Sequence, residues 1–248
     1  TTDVVNPTGA WTVTNSLLLT RGTWNAATFT HAIAGAWNSS AAAFTFNAGT
    51  STITLSSANP NLTTKGLGTQ PFYHLSLSSG ATLQSSVEVD QDLSIPAGSL
   101  ALNNFNLNVD RHLSGAGLTA SASEAIQVGG NWNISSFTPV TSTVTFTGAS
   151  GAGPFSVTSN CQSFYQVVLN AAGESYRQAD AASVLGSLTL SAGVWDTNDA
   201  ANLTVAGSIL GAGTLQGLAG GTQELISVGA DSTKATYTAN ATKLLLSG

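Results

Sequence analysis

Hydrophobic and polar residues alternate along this chain with a period of two. Thr52-Ile53-Thr54-Leu55, Leu75-Ser76-Leu77, Val87-Glu88-Val89, Leu93-Ser94-Ile95, Leu107-Asn108-Val109, Val144-Thr145-Phe146, Leu188-Thr189-Leu190 and Leu203-Thr204-Val205 all follow it. Such runs place one set of side chains inside and the other in solvent, as in a half-buried strand. Val, Ile, Thr and aromatic residues suit that pleat. Short glycine-bearing clusters separate the runs, among them Ser79-Gly80, Ala97-Gly98, Gly129-Gly130, Ala192-Gly193 and Gly211-Ala212-Gly213. Glycine and the frequent asparagines accept the positive φ of tight corners. Helical periodicity is nearly absent, so the pattern predicts an all-β fold of short strands and many corners.

The alternating runs also repeat. Gly35-Ala36-Trp37-Asn38 returns as Gly130-Asn131-Trp132-Asn133, and Thr50-Ser51-Thr52-Ile53-Thr54-Leu55 as Thr141-Ser142-Thr143-Val144-Thr145-Phe146. Phe72-Tyr73 returns as Phe164-Tyr165, and Leu107-Asn108-Val109 as Leu203-Thr204-Val205. Offsets of 91 to 96 residues define units of roughly 35–129 and 130–225. A unit holding several glycine-punctuated strands predicts a β-solenoid of about 20–25 residues per coil, hence roughly 10–12 coils in one continuous domain over residues 1–248. Ile226 to Gly248 matches the unit poorly and reads as a terminal adaptor. A second rhythm, Gly9-Ala10-Trp11, Gly22-Thr23-Trp24 and Gly35-Ala36-Trp37, recurs every 13 residues. It predicts a corner glycine followed by a large residue entering a strand. Trp and Leu exchange at equivalent places, which favours core packing over a sugar-stacking surface.

The order Gly-x-Trp-Asn, Thr-Ser-Thr-Val-Thr-Phe, Phe-Tyr-x-x-x-Leu, Leu-Thr-Leu-x-x-Gly, Leu-Thr-Val-x-Gly resembles repeats of large bacterial and archaeal cell-surface proteins. The resemblance spans about residues 17 to 213. It implies a right-handed parallel β-helix and a place among adhesins, surface stalks and filament subunits. Handedness rests on this resemblance alone.

Composition narrows the partners. Charged residues are 7% of the chain against about 25% in ordinary soluble domains. Six Lys and Arg residues cannot supply the counterion release that drives nucleic-acid binding. No run of 18 apolar residues predicts a membrane helix. A chain that begins at Thr1 fits a processed protein or a fragment. The lone Cys161 cannot form an internal disulfide and is expected to be a small, semi-buried side chain.

Candidate chemistry is sparse. Glu88, Asp90 and Asp92 alternate with apolar neighbours and are expected on one face of one strand. Three carboxylates in a row are the calcium candidate, because that ion takes six to eight oxygens. Their alternatives are a solvated strand face that discourages edge pairing and a catalytic cluster like those of pectin-degrading β-helices. The second repeat lacks the run. Asp110-Arg111-His112 is expected to be an exposed local ion pair. His31, His74 and His112 lack metal-ligand spacing, and no nucleophile elbow, phosphate loop or dinucleotide fingerprint is present. Asn-x-Ser/Thr occurs at Asn38, Asn61, Asn133, Asn202 and Asn240, about the number that chance predicts from this composition.

A solenoid has two open ends, each exposing unpaired backbone over an apolar core, and no terminal amphipathic helix is present to cap them. The expectation is therefore a non-enzymatic structural subunit of an extracellular filament or surface layer, joined end to end with its own copies. The alternatives are a glycan-binding adhesin or phage-fibre module, using Trp or Tyr on one face, and a carbohydrate-active enzyme using Glu88, Asp90 and Asp92.

Overall fold

The computed structural model describes residues 3–198, 202–217, 225–229, 236–238 and 243–246. Among them every regular element is a strand and none is a helix. All paired strands run parallel, and partners lie 18 to 25 residues apart in sequence, as with Leu75 beside Leu93 and Trp37 beside Leu62. Parallel pairing at that spacing is a β-solenoid, here of about ten turns. The chain forms two compact units, Thr1–Glu124 and Ala125–Gly248.

The first unit carries three parallel ladders. One joins Thr12–Val13, Thr30–Ile33, Thr52–Leu55, His74–Leu77, Leu93–Ile95 and the start of Leu113–Thr119. Another joins Leu17–Leu18, Trp37–Asn38, Asn61–Thr63, Ala81–Leu83, Leu100–Ala101 and the end of Leu113–Thr119. The third joins Val4–Val5, Gly22–Asn25 and Phe44–Asn47, then breaks. Residues 64–71 take no strand there. The side chain of Gln70 instead accepts the Phe46 N–H (2.8 Å) and donates to the Phe44 carbonyl (3.1 Å). This face resumes with a single bridge from Phe72 to Val89 and the pair Val87–Val89 and Leu107–Val109.

The second unit repeats the plan with longer strands that bend through corners. Gln166–Gln178 and Leu188–Asp196 pair over both arms, with a register irregularity at Asn170 to Ser175. Gly173 and Gly193 take φ of 82° and 91° there, which residues with a Cβ adopt rarely. The strands Leu225–Val228, Thr236–Thr238 and Lys243–Leu246 lie in the stretch expected to be a terminal adaptor. They extend the parallel ladders of Leu203–Val205 and Thr214–Gln216, and residues 230–235 and 239–242 lie outside those described.

Register puts like beside like. Ile33, Leu55 and Leu77 form one inward column, and Ile53, Leu75, Leu93 and Leu113 another, all essentially without exposed surface. Aromatics fill the wider parts of the interior. Trp24, Trp37, Phe46 and Phe72 pack against one another in tilted and edge-to-face contacts in the first unit, and Trp132, Phe137, Phe146, Phe164, Tyr176 and Trp195 do so in the second. Trp37 and Trp132, which match in the repeat, and Trp24, Leu100 and Trp195, where Trp and Leu exchange, are all core residues, as that exchange predicted.

Two indole N–H groups find buried partners. Trp37 donates to Ser39 Oγ (2.9 Å) and Trp195 to Gln178 Oε1 (2.7 Å). His31 occupies an inward position directly over Ile53 and is fully buried. Its Nδ1 accepts the Trp11 N–H (3.2 Å) and its Nε2 lies 3.0 Å from the Ala26 carbonyl. That pair of contacts holds a neutral ring with the proton on Nε2. Cys161 departs from expectation: it is exposed. Asn160 and Cys161 both have positive φ (53° and 62°), which makes a tight corner and turns the thiol outward.

Candidate functional site

Val87–Val89 and Leu93–Ile95 are separate strands, and Asp90 to Asp92 is the corner between them. The three carboxylates expected on one strand face are split by that corner. Glu88 and Asp90 stay together, and their third member is Asp110 from the next turn. Glu88 pairs in register with Asn108, and Val89 with Val109, so Asp110 falls beside Asp90. One oxygen from each of Glu88, Asp90 and Asp110 lies within 4.8 Å of the others.

Asp92 leaves the cluster because its corner turns it toward cationic and N–H groups. Its carboxylate accepts the His112 N–H (3.3 Å) and lies 3.4 Å from His74 Nδ1 and 3.7 Å from Arg111. Arg111 therefore serves a carboxylate one turn back rather than a partner inside the Asp110-Arg111-His112 run.

Within the cluster, Asn108 bridges its neighbours, donating to Glu88 Oε1 (3.3 Å) and Asp110 Oδ1 (3.1 Å). The Gly68 N–H donates to Glu88 Oε2. Those donors do not balance the charge. Partial burial, with the nearby Asp110 and Glu88 carboxylates, pushes Asp90 above the usual carboxylate range. Burial and Glu88 push Asp110 the same way, against the Asn108 hydrogen bond. A groove of about 380 Å³, left where the third ladder breaks, opens beside the cluster between Asn47, Gln70, Pro71 and Asp90.

The set that could hold calcium is thus Glu88, Asp90 and Asp110, with further oxygens from water. A folded-state value raised above the unfolded one means a contribution fully present in acid and lost as pH rises through the raised value. Asp110→Asn should therefore raise stability at pH 7, by less than about 1 kcal/mol for a group only partly buried and screened by solvent, and the gain should vanish in acid. Thermal melts over a pH series read this out. In calcium titrations the wild-type midpoint should climb, Asp110→Asn should climb less, and Asp92→Asn should match wild type. A midpoint indifferent to calcium would reduce the cluster to a solvated face.

A second group outside the sequence reading lies in the second unit. Asp196 is buried, accepts from Arg177 Nε (3.0 Å) and the Asn198 N–H (3.0 Å), and borders a groove of about 480 Å³ with Glu174 and Gln216. Neither motif nor spacing marks this pair, because its members meet as in-register partners on adjacent parallel strands, 19 residues apart in sequence.

The first turn of the first unit has a different character. Val4, Val5, Trp11 and Leu18 are all exposed there, at 52, 39, 38 and 65%. Leu18 points outward over Asn38, but Val5 stacks on Trp24 and the Trp11 ring lies 5.5 Å from that of Trp24 in a nearly parallel stack. Val5 and Trp11 continue inward columns, and no described residue lies above them. Among the described residues each first-turn strand has a partner on one side only: Val4–Val5 on Gly22–Asn25, Thr12–Val13 on Thr30–Ile33, and Leu17–Leu18 on Trp37–Asn38.

No protein-family model, curated protein or solved structure matches this chain.

Proposed function

We propose that this chain is a structural subunit of an extracellular filament or surface layer, and that its copies join through the ends of the solenoid. The observation that carries the reading is the open first turn. Inward residues of internal turns are buried because a turn lies on each side of them; Trp24 and His31, one turn in, are 2 and 0% exposed. Val5 and Trp11 stand over them at nearly 40%. Covering a large apolar side chain contributes about 1.5–3 kcal/mol. The three strand edges beside them offer backbone N–H and C=O groups to any parallel strand that arrives.

The sparse charge and the Thr-, Asn- and Ala-rich composition support a body that packs against itself. The sugar-stacking alternative draws no support from most of the tryptophans, since Trp24, Trp37, Trp132 and Trp195 lie in the interior.

Sedimentation velocity and negative-stain imaging over a concentration series test the reading. The wild type should form end-to-end oligomers whose length grows with concentration. Val5→Asp and Leu18→Asp should lower that tendency by tenfold or more, and Leu18→Asp, whose side chain is 65% exposed in the single subunit, should leave the thermal midpoint within about 2 °C. A strictly monomeric wild type at millimolar concentration would sink the reading.

A further inference from the structure

The outward face of the second unit gathers charge at one place. Ser156, Arg177, Asp196 and Gln216 form one outward column on successive turns, beside the buried column Phe155, Tyr176, Trp195 and Leu215. Only 7% of the chain is charged, yet Glu174, Arg177 and Asp196 all border the groove of about 480 Å³. That groove crosses four turns, from Pro154 to Gln216, and so runs roughly 14 Å at about 4.8 Å per turn.

The charged groups are held in place by others. Asp196 is buried, with one oxygen on Arg177 Nε (3.0 Å) and the other on the Asn198 N–H (3.0 Å). The pairing fixes the guanidinium and leaves its two terminal NH₂ groups without a partner among the described residues, on a side chain 44% exposed. Glu174 Oε2 accepts the Gly153 N–H (2.7 Å), and Oε1 has no partner among the described residues. A donor fork and an acceptor oxygen thus border one groove, each oriented before a ligand arrives. A buried ion pair adds little stability over well-packed neutral residues, and the adjoining outward positions, Ser156 and Gln216, carry no charge.

We propose that this groove binds a linear, uncharged polysaccharide chain, with Arg177 donating to its hydroxyls and Glu174 accepting from them. Charge balance argues for that class. Two carboxylates to one guanidinium, in a chain of net charge −6, oppose a polyanion, and the exposed Arg177 fork opposes an amine. A hydroxyl both donates and accepts, so two neighbouring sugar hydroxyls satisfy both groups at once. Pro154 and Val194 offer apolar surface to the C–H faces of the rings. An extended peptide fits poorly, because it would add to a sheet edge. Here Gln166–Gln178 and Leu188–Asp196 already have parallel partners on both sides. Glycoside hydrolysis takes two carboxyl groups at the scissile bond, and the buried Asp196 is committed to Arg177, so the groove is assigned binding and no cleavage. The site lies on a lateral face and does not depend on end-to-end assembly.

Isothermal titration calorimetry on the full chain tests the inference. The probes are cello-, xylo-, manno- and chito-oligosaccharides of increasing length, with oligogalacturonate and chitosan oligomers as charged controls. At least one neutral series should bind with a submillimolar Kd, tighten with length and level off once the chain spans the groove. Glu174→Gln and Arg177→Lys should each weaken that binding about tenfold, the loss of one charge-assisted hydrogen bond. Arg177→Lys keeps a cation beside Asp196, and Glu174→Gln leaves the ion pair untouched, so both variants should melt cooperatively. No binding of any neutral series up to about 10 mM overturns the proposal. Tighter binding of oligogalacturonate or chitosan than of every neutral chain overturns the choice of an uncharged ligand. Neutral binding unchanged in both variants places the sugar elsewhere and overturns this groove. None of these results bears on self-assembly, which sedimentation reads separately.

Discussion

Trp37→Ala should cost about 3–5 kcal/mol of unfolding free energy, the largest effect expected of any single truncation in the first unit. Trp37 has no exposed surface and sits in register between Leu17 and Leu62. Its ring is in contact with those of Trp24, Phe46 and Phe72, at centroid separations of 5.7, 5.1 and 5.1 Å. Strands on either side are pinned by parallel backbone pairing, so the space cannot collapse and the neighbouring rings lose their contacts outright. The substitution also strands Ser39 Oγ, which is buried and receives the indole N–H.

Denaturant titration of Trp37→Ala, Trp37→Phe and Trp11→Ala separates these contributions. Trp37→Phe should lose about half as much, since it keeps a ring in the cluster. Trp11→Ala should lose only about 1–2 kcal/mol, because its ring is already more than a third exposed. A cost below about 1.5 kcal/mol for Trp37→Ala would mean that the interior is loosely packed. A cost for Trp11 equal to that for Trp37 would mean that the first turn is covered even in the isolated subunit.

The same columns explain what was legible in the sequence. Alternation in Thr52-Ile53-Thr54-Leu55 and Leu75-Ser76-Leu77 identifies the inward residues because a strand side chain has only two directions to take. The 95-residue repeat pairs Trp37 with Trp132, and both are buried for the same reason. Alternation is blind to corners. It carried Glu88, Asp90 and Asp92 along one imagined strand, whereas the chain turns at Asp90 and sends Asp92 to His74 and Arg111. The true third member, Asp110, lies one turn period of 20 residues after Asp90, and that step only becomes readable once the turn length is known. His31 was invisible as a core residue because its hydrogen bonds come from backbone groups on two other segments. Asn47 donates its side-chain amide to Asn25, and Asn25 to Asn6, but the spacings of 22 and 19 leave no fixed period to expose that column. Glu124 left a clearer trace: Ser121-x-x-Glu124 has the spacing with which a carboxylate reaches back to nearby N–H groups.

Glu124→Gln should cost about 2 kcal/mol at neutral pH, and the cost should disappear in acid. Glu124 is 3% exposed as a residue, and its carboxylate gathers the donors of two corners. Its Oε1 accepts the Ser121 N–H (2.8 Å), the Ser121 hydroxyl (2.6 Å) and the Asn104 N–H (3.0 Å), and its Oε2 accepts the Ala122 N–H (2.9 Å). Burial alone would raise its pKa, but the Ser121 hydroxyl and the N–H groups of Ser121 and Ala122 outweigh it and hold the group at about 2. An amide in its place turns an NH₂ toward backbone donors and weakens the rest, since hydrogen bonds to an ionised acceptor are about twice as strong. The corner lies near solvent, which screens part of the shift and keeps the cost below its full free-energy equivalent. A folded value below the unfolded one gives stability that is complete above the ordinary value of 4.5 and is lost as pH falls toward 2. Asp90 and Asp110 titrate in the opposite sense, so the contribution is read as the difference between wild type and Glu124→Gln at each pH. That difference should hold from pH 7 to about 5 and close by about pH 2. A gap that stays constant across the range would show that the ionised carboxylate is not what ties the Asn104 and Ser121 corners together.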